Sequence, residues 1–175
     1  FGTTEAGIRS LSALCGVVLV GLTYLIGRRL FDWRVGLLAA VLSAIAPFQV
    51  YYSQEARMYM PLAMIGAAAV YGLVRFVERE DMGHQPGKAV SDSDRWPIWA
   101  GLYVIANGLG LWLHYSYPIV LGMENAVYAL WLLLTWRRGG HWLRLLRWVG
   151  MQVLVVLIYA PWLPLGYRQV STWPA

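Results

Sequence analysis

Charge along this chain is confined to short clusters, and the stretches between them have the length of a membrane crossing. Between Arg9 and Arg28 lie 18 uncharged residues, between Arg34 and Glu55 lie 20, and between Arg57 and Arg75 lie 17. Arg95 to Glu124 encloses 28, Glu124 to Arg137 encloses 12, and Arg147 to Arg168 encloses 20. A helix rises 1.5 Å per residue, so about 20 apolar residues cross roughly 30 Å of hydrocarbon. With 59% hydrophobic and 13% charged residues, the chain reads as neither disordered nor an ordinary soluble domain. A net charge of +5 does not point to nucleic acid, because the charges punctuate apolar runs and do not form a basic face. The single cysteine, Cys15, excludes an intrachain disulfide and a cysteine-cluster metal site.

The expectation is an all-α, polytopic integral membrane protein. Its six transmembrane helices fall at 8–27, 35–53, 58–77, 96–114, 117–136 and 147–165, in one domain over 1–175. The 28-residue run divides at His114-Tyr115-Ser116-Tyr117-Pro118, because proline suits the first turn of a new helix. The first run lacks the basic leader of a signal peptide and is followed by further spans. Eleven of the 14 lysines and arginines fall in the connections after the first, third and fifth spans. The other side holds Arg9, Arg57 and Arg168. The positive-inside rule places the eleven in the cytoplasm and both ends of the chain outside. The segment 78–95 reads as a flexible cytoplasmic loop, with His84 a solvated loop histidine. The segment 137–147, basic with Trp142 and three leucines, reads either as lying along the membrane surface or as a short basic loop with tryptophan anchors.

Polar groups collect at the outer ends. Glu5 and Arg9 are four apart at the entry to the first helix, where they form either a headgroup ion pair or part of a site. The segment Tyr51-Tyr52-Ser53-Gln54-Glu55-Ala56-Arg57-Met58-Tyr59 joins two spans with almost no linker. An ionisable residue at this depth is a functional candidate, because it must be paired or face water. The Arg57 guanidinium suits a phosphate. The Glu55 carboxylate can orient a hydroxyl, hold a divalent cation or act as a base. Gln54 and Tyr59 flank them. The alternative is a structural turn. His114 and Tyr115 form a third cluster, but a lone histidine more often belongs to an interfacial aromatic belt than to a metal site. Glu124, on the same helical face as Tyr117, either faces a polar cavity or is neutral and hydrogen-bonded between helices.

The order of these residues resembles a known family. The pattern is Phe1-Gly2 with Glu5, Arg9 and Ser12; Tyr24, Arg28 and Leu30; Ala46-Pro47 followed by Val50-Tyr51-Tyr52-Ser53-Gln54-Glu55-Ala56-Arg57-Met58-Tyr59; Leu113-His114-Tyr115; and Tyr159-Ala160-Pro161-Trp162-Leu163-Pro164. It resembles the family-39-like glycosyltransferases of the GT-C superfamily. These are relatives of dolichyl-phosphate-mannose protein mannosyltransferases and lipid A aminoarabinose transferases. The resemblance implies a bacterial inner-membrane enzyme that moves a sugar from a polyprenyl-phosphate donor to a protein, lipid or glycan acceptor on the outer face. It implies a base that deprotonates the acceptor, and positive charge or a metal that stabilises the departing phosphate. It also implies that the main catalytic acid belongs to an outer loop upstream of Phe1. The chain is therefore expected to be an internal fragment, inactive alone. Glu55, Arg57, Tyr59, Gln54, His114, Tyr115, Glu5 and Arg9 are the candidates for substrate and phosphate binding. A secondary transporter or lipid flippase is the competing reading. It would place its polar groups near the midplane on broken helices.

Overall fold

The computed structural model describes residues 5–55, 57–82, 96–138, 140–164 and 168. Among the described residues, seven α-helices follow one another: α1 (Glu5–Leu30), α2 (Trp33–Ile45), α3 (Pro47–Gln54), α4 (Tyr59–Met82), α5 (Trp96–Leu113), α6 (Pro118–Leu134) and α7 (His141–Tyr159). Short 3₁₀ turns follow α6 and α7 at Trp136–Arg138 and Ala160–Trp162. Helices suit this sequence because hydrocarbon offers no hydrogen-bond partner, so each backbone amide must be satisfied within its own segment.

The hairpin between α1 and α2 is set by two local devices. The Asp32 carboxylate caps α2 by accepting from the backbone N–H of Arg34 and of Val35, each at 2.8 Å. Such a cap is worth about 1 kcal/mol. Gly27 and Gly36 then let the two backbones touch. A Cβ on Gly36 would lie 2.7 Å from the Tyr24 carbonyl oxygen and 2.8 Å from the Arg28 nitrogen.

Helix α4 lies between α1 on one side and α5 on the other. The main core forms where α4, α5, α6 and α7 meet, around Leu73, Phe76, Tyr103, Tyr128, Leu132, Trp148, Met151 and Val155. Tyr128 and Trp148 stack face to face with centroids 3.8 Å apart. Gly72 lets α4 approach the α5 backbone: a Cβ there would sit 3.1 Å from the Tyr103 nitrogen.

The six-span expectation is corrected in number and in edges. Among the described residues, three helices are long and apolar enough to cross a membrane: Arg9–Leu30, Tyr59–Asp81 and His141–Trp162. A fourth crossing is reached if α2 and α3 count as one broken span. The expected span 35–53 is interrupted because Pro47 opens a new helix after extended Ala46, and the two pieces bend by 56°. The apolar stretches Pro97–Leu113 and Pro118–Leu134 hold 17 residues each, about 26 Å of helix. They fall short of a comfortable crossing because the turn at 114–117 consumes part of the long uncharged run. The loop 78–95 is also shortened. Helix α4 continues to Met82, and 83–95, with His84, lies outside the described residues.

The segment 137–147 is neither a loop nor a surface helix throughout. Helix α7 starts at His141, after Gly140 in the left-handed region (φ 70°). One face of its first turns packs into the bundle, because Arg144 and Arg147, three apart, both reach Glu80 of α4. The Arg147 Nη1 donates to Glu80 Oε1 at 2.6 Å, and the Arg144 Nε stands 3.7 Å from Oε2. The Glu80 and Arg144 side chains are 2% and 1% exposed. Arg144 Nη1 also donates to Thr135 Oγ1, its guanidinium lies over the Trp131 ring, and its carbonyl accepts from the Tyr128 hydroxyl. Beside it, Arg75 pairs with Glu78 at 3.2 Å and covers the Trp99 ring, and Arg29 of α1 reaches Glu78 at 4.0 Å. One end of the bundle is therefore an ion network. Because these pairings also fix the start of α7, the last expected span shifts back from 147–165 to begin at His141.

Two glycine substitutions test the packing. Gly36→Ala forces α1 and α2 apart and should destabilise by about 1–3 kcal/mol. Gly122→Ala, where a Cβ meets nothing within 4 Å, should be neutral or gain up to about 1 kcal/mol from helix propensity. Thermal melts in detergent would measure both, and an unaltered melt for Gly36→Ala would contradict the close crossing.

Candidate functional site

The bundle end opposite the ion network is built from the start of α1, the end of α3 and the start of α4. Here α1 comes close to α3 and α4 because Gly16 carries no side chain. A Cβ at Gly16 would stand 3.2 Å from the Met60 Cε and from the Ser53 Cβ. Above that contact, Arg9, Ser10, Ala13, Ser53 and Gln54 line a cavity of 340 Å³. Below it, a second cavity of 280 Å³ runs between α1 and the α2–α3 break, past Val17, Val20, Ala44 and Val50. The two share Ala13 and Ser53. Together they make a groove with a polar mouth and a mostly apolar floor.

The break in α2–α3 supplies the polar atoms within that floor. The Ser43 hydroxyl donates to Gln49 Oε1 at 2.5 Å, and the Gln49 amide donates to the Gly16 carbonyl at 3.4 Å. At the mouth, the Ser53 hydroxyl donates to the Val50 carbonyl at 2.7 Å, which leaves its oxygen to accept. The mouth therefore combines a guanidinium, an amide and hydroxyls, a set that suits a phosphate or sugar oxygen.

Glu55 ends α3 in an extended conformation. Its Oε2 lies 3.7 Å from Arg57 Nε, so the turn brings these two candidates together. Arg57 is 65% exposed, and a pair this open contributes at most about 1 kcal/mol. Its guanidinium is thus presented outward. Aromatic edges brace the turn, with Phe48 against Tyr52 at 4.4 Å and Tyr52 against Tyr59 at 4.8 Å. Tyr59 has this bracing role, and Gln54 lines the cavity mouth with Arg9. Glu5 lies in α1, but its side chain is outside the described residues.

His114 and Tyr115 are elsewhere. They form the turn between α5 and α6, where His114 Nδ1 accepts from the Ser116 N–H at 3.1 Å and faces the Ser116 hydroxyl at 2.6 Å. An accepting Nδ1 leaves the ring proton on Nε2. Tyr115 stacks on His114 and is exposed. Among the described residues, no hydrogen bond or ion pair joins this turn to Glu55 or Arg57. The described residues also do not form a ligand set for a divalent cation at Glu55. Its carboxylate faces a guanidinium, and no group of three or more His, Cys, Asp or Glu gathers among them.

Glu124 is buried between helices, and Asn107 Nδ2 donates to its Oε2 at 2.9 Å. Asn107 also donates to the Tyr103 carbonyl at 3.1 Å. A polar chain continues nearby: Gln152 Nε2 donates to the Tyr103 hydroxyl, Asn125 Nδ2 to Gln152 Oε1, and Trp148 Nε1 to Asn125 Oδ1. These amides were missed by a reading that followed charge alone. Three uncharged polar side chains inside apolar runs were the available signal.

The fold is that of a multi-pass helical membrane protein with an open groove at one bundle end. Residues 1–164 match the family described as dolichyl-phosphate-mannose-protein mannosyltransferase, and the chain belongs to that family. Sugar transfer within the GT-C superfamily follows at the family level. No curated protein and no solved structure matches the chain.

Asn107→Leu should strand the buried Glu124 carboxylate and destabilise by about 1–3 kcal/mol. Joint replacement with Glu124→Leu should recover much of that loss. Melting the single and double variants checks the coupling. A double-variant loss equal to the sum of the Asn107→Leu and Glu124→Leu losses would mean that the residues do not interact.

Proposed function

We propose that the α1–α3–α4 end binds the polyprenyl-phosphate-sugar donor of a membrane glycosyltransferase acting on the outer face. The observation that carries this reading is the groove itself, with Arg9, Ser53 and Gln54 at its mouth and aliphatic walls beneath. A lipid-linked phosphate sugar has that same division between a charged head and an apolar tail. In the proposed reaction, the acceptor oxygen attacks the anomeric carbon as its proton leaves to a base. The bond from that carbon to the phosphate oxygen breaks, and the negative charge left on the lipid phosphate meets Arg9 and Arg57. These arginines work best if their contact strengthens as the charge develops. Glu55 pairs with Arg57 in the turn after α3 and orients the acceptor hydroxyl. The acceptor class, whether protein, lipid or glycan, would be selected by groups beyond this groove.

One observation favours the competing transporter reading. The broken α2–α3 span, with Gln49 at the break, is the kind of discontinuous helix that lines a transport path. Sugar release against lipid translocation in the same proteoliposomes separates the two.

In the full-length protein, Arg9→Ala and Arg57→Ala should each lower transfer from a polyprenyl-phosphate donor by roughly 100-fold, by analogy with loss of one oxyanion donor. The lysine variants should recover only part, because a point charge lacks the bidentate fork. Well-folded alanine variants at near-normal rates would remove this site from the mechanism. The orientation has its own check. Cysteines at Ser91 and Ser171, in a Cys15→Ser background, should differ towards an impermeant reagent on intact cells, with only the second labelled. Labelling of both would reject the arrangement.

A further inference from the structure

Three buried side-chain oxygens without a hydrogen-bond partner lie between α5 and α6, outside the donor groove. They are Glu124 Oε1, Asn107 Oδ1 and the Tyr117 hydroxyl. Their residues are 3%, 0% and 1% exposed. Tyr117 and Glu124 are about two helical turns apart, so they share one face. Helix α5 closes over that face. Any side chain at Gly110 would collide with the Tyr117 ring, and Asn107 lies one turn before Gly110. The titratable groups that face Glu124 are the Tyr103 and Tyr117 hydroxyls, and neither donates to Oε1. From α7, the Gln152 amide is spent on the Tyr103 hydroxyl and on Asn125. From α4, Gly66 faces the Tyr117 ring. Among the described residues, no arginine or lysine pairs with Glu124.

We propose that Glu124 and Asn107 form a proton-binding site, in which one proton on Glu124 Oε1 is donated to Asn107 Oδ1. The opposite contact is already present, with Asn107 Nδ2 donating to Glu124 Oε2 at 2.9 Å. Acid and amide then meet at two points. The proton comes from water, the product is a neutral carboxylic acid, and no other bond changes. The argument is an accounting of donors. A tyrosine hydroxyl carries its own hydrogen, whereas Oε1 and Oδ1 can only accept. Asn107 has no donor to spare, because its two amide hydrogens go to the Tyr103 carbonyl and to Glu124. Turning the amide over would set its oxygen against the Tyr103 carbonyl, so that contact fixes which atom is nitrogen. A single proton satisfies both bare acceptors. It also removes the cost of an ionised carboxylate held away from water without a cation. A divalent cation fits less well, because calcium takes six to eight oxygens and magnesium a full octahedron. The site thus joins α6 to α5 without placing net charge in the apolar layer.

The test is infrared difference spectroscopy of the purified full chain at neutral pH, native against Glu124→Gln. The variant should lose the carbonyl band of a protonated carboxylic acid. Loss of a carboxylate band in its place, or loss of neither, would overturn the proposal. Asn107→Leu should keep the acid band but shift it, because the hydroxyl loses its acceptor. This second variant carries the test if Glu124→Gln does not fold, and an unshifted band would reject the two-point pair. The measurement is repeated with sodium replaced by choline. The acid band should be unchanged, and an acid band that emerges only without sodium would mean that the site holds a metal cation and not a proton. None of these readouts involves sugar transfer, so the outcome is independent of the donor site.

Discussion

The Glu80 carboxylate sets the register of the helical bundle. It is buried between two arginines of α7, and three charged groups cannot be taken from water without a large desolvation penalty. The attraction between them therefore adds little net stability. What it supplies is uniqueness, because any sliding of α7 along α4 would leave a buried charge alone. One helical turn is about 5.4 Å, far beyond the 2.6 Å contact of Arg147. The same register places the Arg144 carbonyl under the Tyr128 hydroxyl and its guanidinium over Trp131. At the far end of α7 it places the Ile158 carbonyl where Trp112 Nε1 donates at 2.9 Å. A fixed point near one membrane surface is thereby transmitted along α7 to the other.

The opposite end is organised by a different economy of charge. There the Glu55–Arg57 pair is open and weak, and the helices are shaped by missing side chains and a broken span. Gly16 draws α1 against Ser53 and Met60, while Pro47 turns α3 away from α2. The result is a groove with a polar mouth and aliphatic walls. The ion network and this groove lie at opposite ends of the bundle, with the aromatic core between them.

Much of this was visible in the residues. The uncharged runs locate the helices, because hydrocarbon penalises charge more than any other feature. The polar turn at 51–59 and the proline at 118 also fall where expected. What charge-counting did not give is equally physical. Arg144 and Arg147 looked like loop charges until Glu80 was found to face them, a contact across 67 positions. Pro47 lay within an uncharged run, so hydropathy alone passed over the break. Asn107, Asn125 and Gln152 carry no charge and disappear into apolar averages. The meeting of Arg9 with Gln54 depends on how α1 crosses α3, which no local pattern encodes.

The division of the chain into two halves bears on how a lipid-phosphate enzyme could position its chemistry. Helices α4 to α7 hold the aromatic core, the Glu80 network and the Glu124–Asn107 bond. These interactions are buried and mutually dependent, so this half resists displacement. Helix α1 meets it at the Gly16–Met60 crossing and through Arg29 and Glu78, and α3 is only eight residues long. A donor with a long apolar tail must enter from the bilayer and leave again, which is easier through a wall of small residues and short helices. The reacting phosphate, in contrast, must be held to within about 0.5 Å. On the proposed donor reading, the aromatic brace of Phe48, Tyr52 and Tyr59 serves that demand where α3 joins α4.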